Sequence, residues 1–289
     1  MKKVLITGAT GYLGNHVINF ILKQIPDINV IATSTNLDKA RKFSWYPKVE
    51  YIECDLEKKK NNFFSFFKKP DLLIHLAWAN VHSYQDQLQI TKNLPNNYAF
   101  LENIINHGLR DLAVAGTCFE YGLAQGCLSE KHKAKPVTVY AQAKYLLYKK
   151  LTNLQKEAGF TFRWLRIFYN YGEGQYYKSI IPLLDKAIID HKEVFDMSGG
   201  DQLRDYLPVE KMAEQIVLAS LQNKINGIVN CCSGKPITVR KLVQGYLKKR
   251  GGGIKLNFGY YPYLKHEPMA FWGSREKIDR ILKLYKRSL

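Results

Sequence analysis

The segment Thr7-Gly8-Ala9-Thr10-Gly11-Tyr12-Leu13-Gly14 constrains this chain more than any other. It follows an apolar run, Lys3 to Thr7, that reads as a strand. It leads into Leu13 to Gln24, where apolar residues recur at helical spacing. Three glycines at three-residue intervals between a strand and a helix allow a sharp turn, close approach of backbone to a ligand, and tight packing of helix on strand. Amide groups at the helix N-terminus are then available to phosphate oxygens. The expectation is a βαβ unit that binds a dinucleotide through Gly8, Thr10, Gly11, Tyr12 and Leu13.

The rest of the first half repeats that alternation. Val30 to Thr33, Tyr51 to Cys54, Leu72 to Leu76, Leu112 to Ala115 and Phe162 to Ile167 read as strands. Phe63 to Phe67, Asn96 to Asn106 and Val139 to Glu157, the last stopped by Gly159, read as helices between them. This pattern predicts the α/β class, a Rossmann-type doubly wound parallel sheet with a smaller C-terminal substrate-binding lobe. The dinucleotide-binding domain is expected over 1–166, with 203–230 returning to it, and the lobe over 167–202 and 231–289. Ile180 to Ile189 and Val209 to Leu221 read as helices, and Gly227 to Cys231 as a short strand. Gly251 to Trp272, rich in Gly, Tyr and Pro, suits a loop-rich lid or substrate lobe.

Which dinucleotide binds turns on the end of the second strand, where an acidic residue usually accepts from the ribose of NAD. Here Val30-Ile31-Ala32-Thr33-Ser34-Thr35-Asn36 offers no carboxylate before Asp38. Thr33 and Ser34 can donate to a 2′-phosphate, and Lys39 or Arg41 can offset its charge. NADP(H) is therefore favoured over NAD(H). Asp55, after the third strand, either meets the adenine edge or caps a helix.

Tyr140 and Lys144 stand four residues apart, on one face of the long helix. A phenol ionises near pH ~10 alone, so a neighbouring ammonium would bring it toward a useful range for proton transfer. The spacing is common by chance, but its place after the fifth strand of a dinucleotide fold turns the pair toward the cofactor. A hydroxyl at the end of that strand completes a trio, and Thr117 supplies it. Cys118 has no histidine at suggestive spacing and reads as a small buried thiol.

Composition excludes several alternatives. No apolar run approaches the ~20 residues that span a bilayer, and Met1-Lys2-Lys3-Val4-Leu5-Ile6 lacks the form of a signal peptide. Five cysteines without C-x-x-C spacing fit a reducing cytoplasm and no metal site. The net charge of +18 comes from scattered lysines without interleaved aromatics, which speaks for a solvated surface rather than a nucleic-acid module.

Together these segments resemble the extended short-chain dehydrogenase/reductases acting on nucleotide sugars, the NAD-dependent epimerase/dehydratase family. The resemblance rests on the turn Thr7 to Gly14, Asp55, His75-Leu76-Ala77, Asn97, Thr117 with Tyr121-Gly122, Tyr140/Lys144, Tyr171-Gly172-Glu173-Gly174-Gln175 and Arg204-Asp205-Tyr206. It covers nearly the whole chain. The segments Gly116 to Gly122, Phe168 to Gln175, Met197 to Pro208 and Asn230 to Pro236 look most like the dTDP-4-dehydro-6-deoxyhexose 4-reductases, the group containing dTDP-6-deoxy-L-talose 4-dehydrogenase.

The resemblance implies NADPH-dependent reduction of the C4 ketone of a nucleotide-linked 4-keto-6-deoxy sugar, in surface-polysaccharide sugar biosynthesis, by a homodimer built on the Tyr140-bearing helix. It sets Leu56, Leu76, Ala77 and Phe168 beside the cofactor and has Pro262 to Trp272 close over the nucleotide. Trp78, Asn80, Val81, Tyr84, Cys118, Phe119, Tyr169, Asn170 and Ser179 fall beside the sugar, and Arg204 clamps the diphosphate, its alternative being a salt bridge to Asp205 or Glu210. Dehydratases of the family carry an Asp-Glu pair directly after the catalytic threonine. This chain has Cys118-Phe119 there, which argues for ketone reduction. Tyr169 likewise stands where epimerases and dehydratases often have Asn. The rival readings are a nucleotide-sugar 4-epimerase with tightly bound NAD and a non-catalytic NADP-sensing protein.

Overall fold

The computed structural model describes residues 1–251, 253–264 and 267–286. Lys265 and His266, inside the segment expected to close over the nucleotide, lie outside the described residues. The first half runs β1 (Lys2–Thr7), α1 (Tyr12–Gln24), β2 (Ile28–Thr33), α2 (Leu37–Arg41), β3 (Glu50–Tyr51), α3 (Phe63–Phe66), β4 (Leu72–His75), α4 (Leu94–Asn106) and β5 (Asp111–Thr117). It continues through β6 (Gly126–Leu128), α5 (Val139–Ala158), β7 (Thr161–Ile167), β8 (Tyr169–Tyr171), α6 (Ile180–Ile189), β9 (Val194–Met197), β10 (Leu203–Pro208) and α7 (Val209–Leu221). The last elements are β11 (Gly227–Cys231), β12 (Pro236–Thr238), α8 (Val239–Arg250), β13 (Lys255–Phe258), β14 (Phe271–Gly273) and α9 (Glu276–Lys286).

Among the described residues, seven strands form one sheet in the order β3-β2-β1-β4-β5-β7-β11, and every neighbouring pair is parallel. Side chains alternate across it: Val4 and Ile6 join one buried cluster and Leu5 the other. Both faces are therefore covered, as a parallel sheet requires. Residues of α1, α7 and α9 fill the first cluster, and those of α3, α4 and α5 the second. The strand order reverses between β1 and β4, which opens a crevice at the carboxyl ends of the strands.

The remaining strands form small sheets beyond that edge, β12-β10-β8, β13-β9 and β14-β6. The first two flank a separate apolar centre of Leu184, Met197, Val239, Val243 and Ile254. Segment 203–230 divides between the two regions: β10 pairs with β8 and β12, whereas α7 and β11 pack on the large sheet. The C-terminal helix also docks there through Ile278 and Ile281.

Two local readings are corrected, and two helices are added. β3 is only Glu50–Tyr51, because the edge strand loses regular pairing after Ala32, although Ile52 and Cys54 still donate to Ala32 and Ser34. The Gly- and Tyr-rich tail contains β13 and β14, each paired to a distant strand that the local pattern does not reveal. Finally, the pattern of the sequence does not announce α8 and α9. α8 has a Thr238 cap, with Lys241 N donating to Thr238 Oγ1 at 3.1 Å, and a left-handed Gly251 at its end.

Candidate active site

The glycine turn sits at the crevice. Gly8 has φ +70°, and a Cβ there would lie 2.9 Å from the Ala77 nitrogen, two residues past β4. A Cβ at Gly14 would lie 2.2 Å from the Gly8 carbonyl oxygen. The two positions thus lock β1, α1 and β4 together at backbone distance. Gly11 caps α1 without a side-chain bond, which leaves first-turn amides, including those of Tyr12 and Leu13, facing the crevice. Thr10 is buried beside it. Tyr12 turns its hydroxyl into the interior, where that oxygen has no hydrogen-bond partner.

At the end of β2, Thr33 is buried and its Oγ1 is likewise unpartnered, while Ser34 Oγ lies 2.8 Å from the Tyr51 hydroxyl. An orphaned hydroxyl beside a glycine cradle fits the adenosine half of a dinucleotide. Asp55 accepts from Glu57 N at 3.0 Å, so it shapes its own turn, with Leu56 half-buried next to it. Phe168 packs its ring under Tyr121 and Phe271, away from any open surface.

Below the turn runs a buried relay. Thr7 Oγ1 lies 2.9 Å from His75 Nδ1, and His75 Nε2 lies 2.8 Å from Asn97 Oδ1. Burial, helped by the Lys144 charge, pulls the imidazole down to about 3, so His75 is neutral. Ala77 N donates to the same Thr7 hydroxyl at 3.3 Å, tying the loop after β4 to β1.

Thr117, Tyr140 and Lys144 meet above this relay. Thr138 caps α5 through Ala141 N at 3.2 Å and so fixes where the helix places Tyr140 and Lys144. The Thr117 hydroxyl beside Tyr140 favours the phenolate. Burial, followed by Tyr84, Glu120 and Cys118, outweighs it and pushes the phenol well above its ordinary 10.0. Lys144 is 3% exposed, donates to the Ala115 carbonyl at 2.9 Å, and is pulled by burial down to about 7. The expected lowering of the phenol by the lysine is thus opposed in this structure by desolvation of both groups. Cys118 is buried and its thiol is pushed up, as expected for an inert one.

From Tyr140 an aromatic wall extends toward the lobe. Trp78 and Tyr84 lie 6.3 and 5.8 Å from the Tyr140 ring, Phe119 lies 5.2 Å from Tyr84, and Tyr169 lies 5.8 Å from Phe119. Arg204 ends it, 2% exposed, donating to Glu267 Oε2 at 2.9 Å and to the carbonyls of Leu203 and Met269. The Tyr169 hydroxyl donates to the same Glu267 oxygen at 3.2 Å. Asp205 instead accepts from the amides of Ser233, Gly234 and Gly273, so neither it nor Glu210 is the arginine's partner. Asn170 and Ser179 stand apart from this wall: Asn170 Nδ2 donates to the Phe168 carbonyl, and Ser179 begins α6. Asn80 is exposed with φ +51°.

Residues 4–232 match the NAD dependent epimerase/dehydratase family. The chain belongs to that family. One relative, "dTDP-6-deoxy-L-talose 4-dehydrogenase (NAD(+))" of Aggregatibacter actinomycetemcomitans, is 27% identical over 94% of this chain and 99% of its own length. "dTDP-4-dehydro-6-deoxyglucose reductase" of Escherichia coli is 26% identical over 83% of this chain and 79% of its own. Among solved structures, UDP-glucuronic acid 4-epimerase from Bacillus cereus, with UDP-glucuronic acid and NAD, superposes with a TM-score of 0.83 at 20% identity. It covers 97% of this chain and 93% of that one. The fold is that of the family, and the chain is a nucleotide-sugar-modifying, NAD(P)-dependent enzyme of it. Among the described residues, no helix is long and apolar enough to cross a membrane.

Several residues of this family member escape a reading of the sequence. Glu120, fully buried, accepts from Thr117 N at 2.9 Å, Trp164 Nε1 at 2.8 Å and Arg166 Nε at 2.9 Å. It anchors the strand end that carries Thr117. Its signal is legible in retrospect, since Thr117-x-x-Glu120 has capping-box spacing and forms that box. Gln89 and Asn93 reach back to the loop after β4 and Glu267 to Arg204, contacts that carry no local mark.

Proposed function

We propose that this enzyme reduces the C4 ketone of a nucleotide-linked 4-keto-6-deoxy sugar, a dTDP-4-dehydro-6-deoxyhexose. The observation that carries the reading is Phe119. Where a dehydratase of the family places an acid, this chain has an aromatic ring packed on Tyr84 and Tyr169, next to an intact Thr117, Tyr140 and Lys144. That wall suits a deoxygenated C6 and offers no group to remove water.

The cofactor, when bound, supplies a hydride to C4. Tyr140 gives its proton to the developing alkoxide; burial holds the phenol in the protonated form a reductase uses. Thr117 steadies that oxygen and the phenol through its hydroxyl, and Lys144 orients the ribose. Arg204 takes the diphosphate, for which a guanidinium fork is suited. In this reading the dinucleotide is held by 1–166 with α7 and β11 of the returning segment 203–230, while β10 goes with the lobe of 167–202 and 231–289, whose α9 packs back on the large sheet.

NADP(H) is the preferred cofactor in this reading. Asp38 is turned to Arg41 at 3.4 Å, and Thr33 offers a free hydroxyl. The NAD in the relative's name, and Glu53 on the Leu37 amide at 3.0 Å, speak for NAD(H). Assays therefore run with both reduced cofactors and dTDP-4-keto-6-deoxyglucose, following nicotinamide absorbance. Consumption with NADPH preferred supports the proposal, and no consumption with either refutes it. The second reading, a 4-epimerase, is favoured by relatives of that name, such as a "Putative UDP-glucose 4-epimerase" of Methanocaldococcus jannaschii, 24% identical. An epimerase keeps its cofactor through gel filtration, whereas a reductase releases it each turnover.

A further inference from the structure

We propose that Trp78, oriented by Gln89, is a positioning residue that keeps Lys144 aligned and cationic in its dry site. The Lys144 Nζ lies 3.9 Å from the centroid of the Trp78 ring, which comes from the loop after β4 rather than from the lysine's own helix. An ammonium has three N–H donors, and the Ala115 carbonyl takes one. The groups facing it are few. His75 on β4 is neutral, Tyr140 on α5 and Tyr84 on the same loop are protonated phenols, and Cys118 is a protonated thiol. Glu120, after β5, is the carboxylate whose charge favours the ammonium, and it is shared with Arg166, the Trp164 indole and the Thr117 amide. The indole face is the nearer of two rings to the charge, the Tyr140 centroid lying at 6.0 Å, and a desolvated cation gains most from such a face.

Gln89 explains why the indole stays there. Trp78 Nε1 donates to Gln89 Oε1 at 2.6 Å, which fixes the ring plane. Gln89 is fully buried, and its Nε2 donates to the carbonyls of Asn80 at 2.7 Å and Ser83 at 3.3 Å. Asn93 Nδ2 donates to the same Gln89 oxygen at 3.0 Å and to the Ala79 carbonyl at 2.8 Å. Gln89–Asn93 is a single π-helical turn ahead of α4. Such turns cost regular hydrogen bonding and recur at functional sites. Here it sets two amides to clamp the loop whose indole covers Lys144.

The inference rests on the reading that Lys144 supports Tyr140 as an ammonium. Removing the ring weakens the cationic form, so the lysine loses its proton at lower pH. In Trp78→Leu, the alkaline limb of kcat/KM should therefore move acidward by about one pH unit. Trp78→Phe, which keeps a smaller face, should move it less, and Gln89→Met should move it in the same direction with the ring still present. A readout independent of any sugar comes from the free protein. The tryptophan emission of the parent minus that of Trp78→Phe should titrate with Lys144, and the step should vanish in Lys144→Met. An unmoved limb in a folded Trp78→Leu or Gln89→Met, or an emission difference that does not titrate, overturns the proposal. If the parent fails to turn over the sugar, the function reading falls, while the emission titration still decides this one.

Discussion

In the proposed reading, the cofactor edge and the sugar-facing side of this enzyme are built by different means. At the cofactor edge, Gly8 and Gly14 bring backbone to backbone within one turn, and Gly8 also meets Ala77, just past the end of β4. On the sugar side, Trp78 and Tyr84 from one loop, Phe119, Tyr169, Arg204 and the distant Glu267 converge through rings and side-chain bonds. A backbone-coded site tolerates change in side chains but not in glycines. A side-chain-coded site can be retuned one residue at a time, which suits a family that shares a cofactor fold and varies its sugar. Tyr140 and Lys144 lie where the two meet, and substitutions there give the largest effects.

Tyr140→Phe is the first way to break the comparison. Loss of the proton donor should lower kcat by about 10²- to 10⁴-fold, while cofactor affinity, measured by nicotinamide fluorescence titration, stays near that of the parent. A parental rate would remove the phenol from the reaction.

Lys144 carries the next effect, on stability. Its folded value of about 7 lies below the ordinary 10.5, so between those values the unfolded chain binds more protons than the folded one. Stability is then greatest above 10.5, falls as the pH drops toward 7, and levels off below it; each tenfold loss of proton affinity on folding corresponds to ~1.4 kcal/mol. Lys144→Met should therefore be more stable than the parent at pH 7 by denaturant melts, though inactive, and should lack that slope. A parent and variant of equal stability at both ends of the window would show that burying the ammonium carries no penalty.

Gly14→Ala tests the backbone-coded edge alone. A methyl 2.2 Å from the Gly8 oxygen cannot fit without moving α1 from β1, so the variant should lose about 1–3 kcal/mol by thermal melts together with most cofactor binding. If binding survives intact, the cradle is looser than its contacts imply.

The same division explains what is legible in the sequence. The turn, the alternation of strands and helices, the Val139 helix with its Gly159 stop, and Tyr140/Lys144 are local signals of period, cap and spacing, and the structure has each of these elements. Glu120 carries a capping-box signature of the same local kind. The pairing of β13 with β9, the docking of α9 on α7, and the Arg204–Glu267 and Trp78–Gln89 bonds depend on residues that meet only after folding. Nearness in sequence points Arg204 to Asp205 or Glu210, yet Asp205 is occupied by three backbone amides, and the carboxylate that reaches the guanidinium lies in the distant tail.

Arg204 also gives the finest test of the sugar side. Its guanidinium is held by Glu267 and two carbonyls and lies against the Phe271 and Tyr169 rings, 5.1 and 5.8 Å from their centroids. A lysine keeps the charge but loses the fork and the stacking. Arg204→Lys should raise the KM for the nucleotide sugar by about tenfold, the loss of one charge-assisted hydrogen bond, with kcat and the cofactor KM nearly unchanged. A fall in kcat at constant KM would instead place the guanidinium in the transition state, and would extend the side-chain-coded region up to the reacting carbon itself.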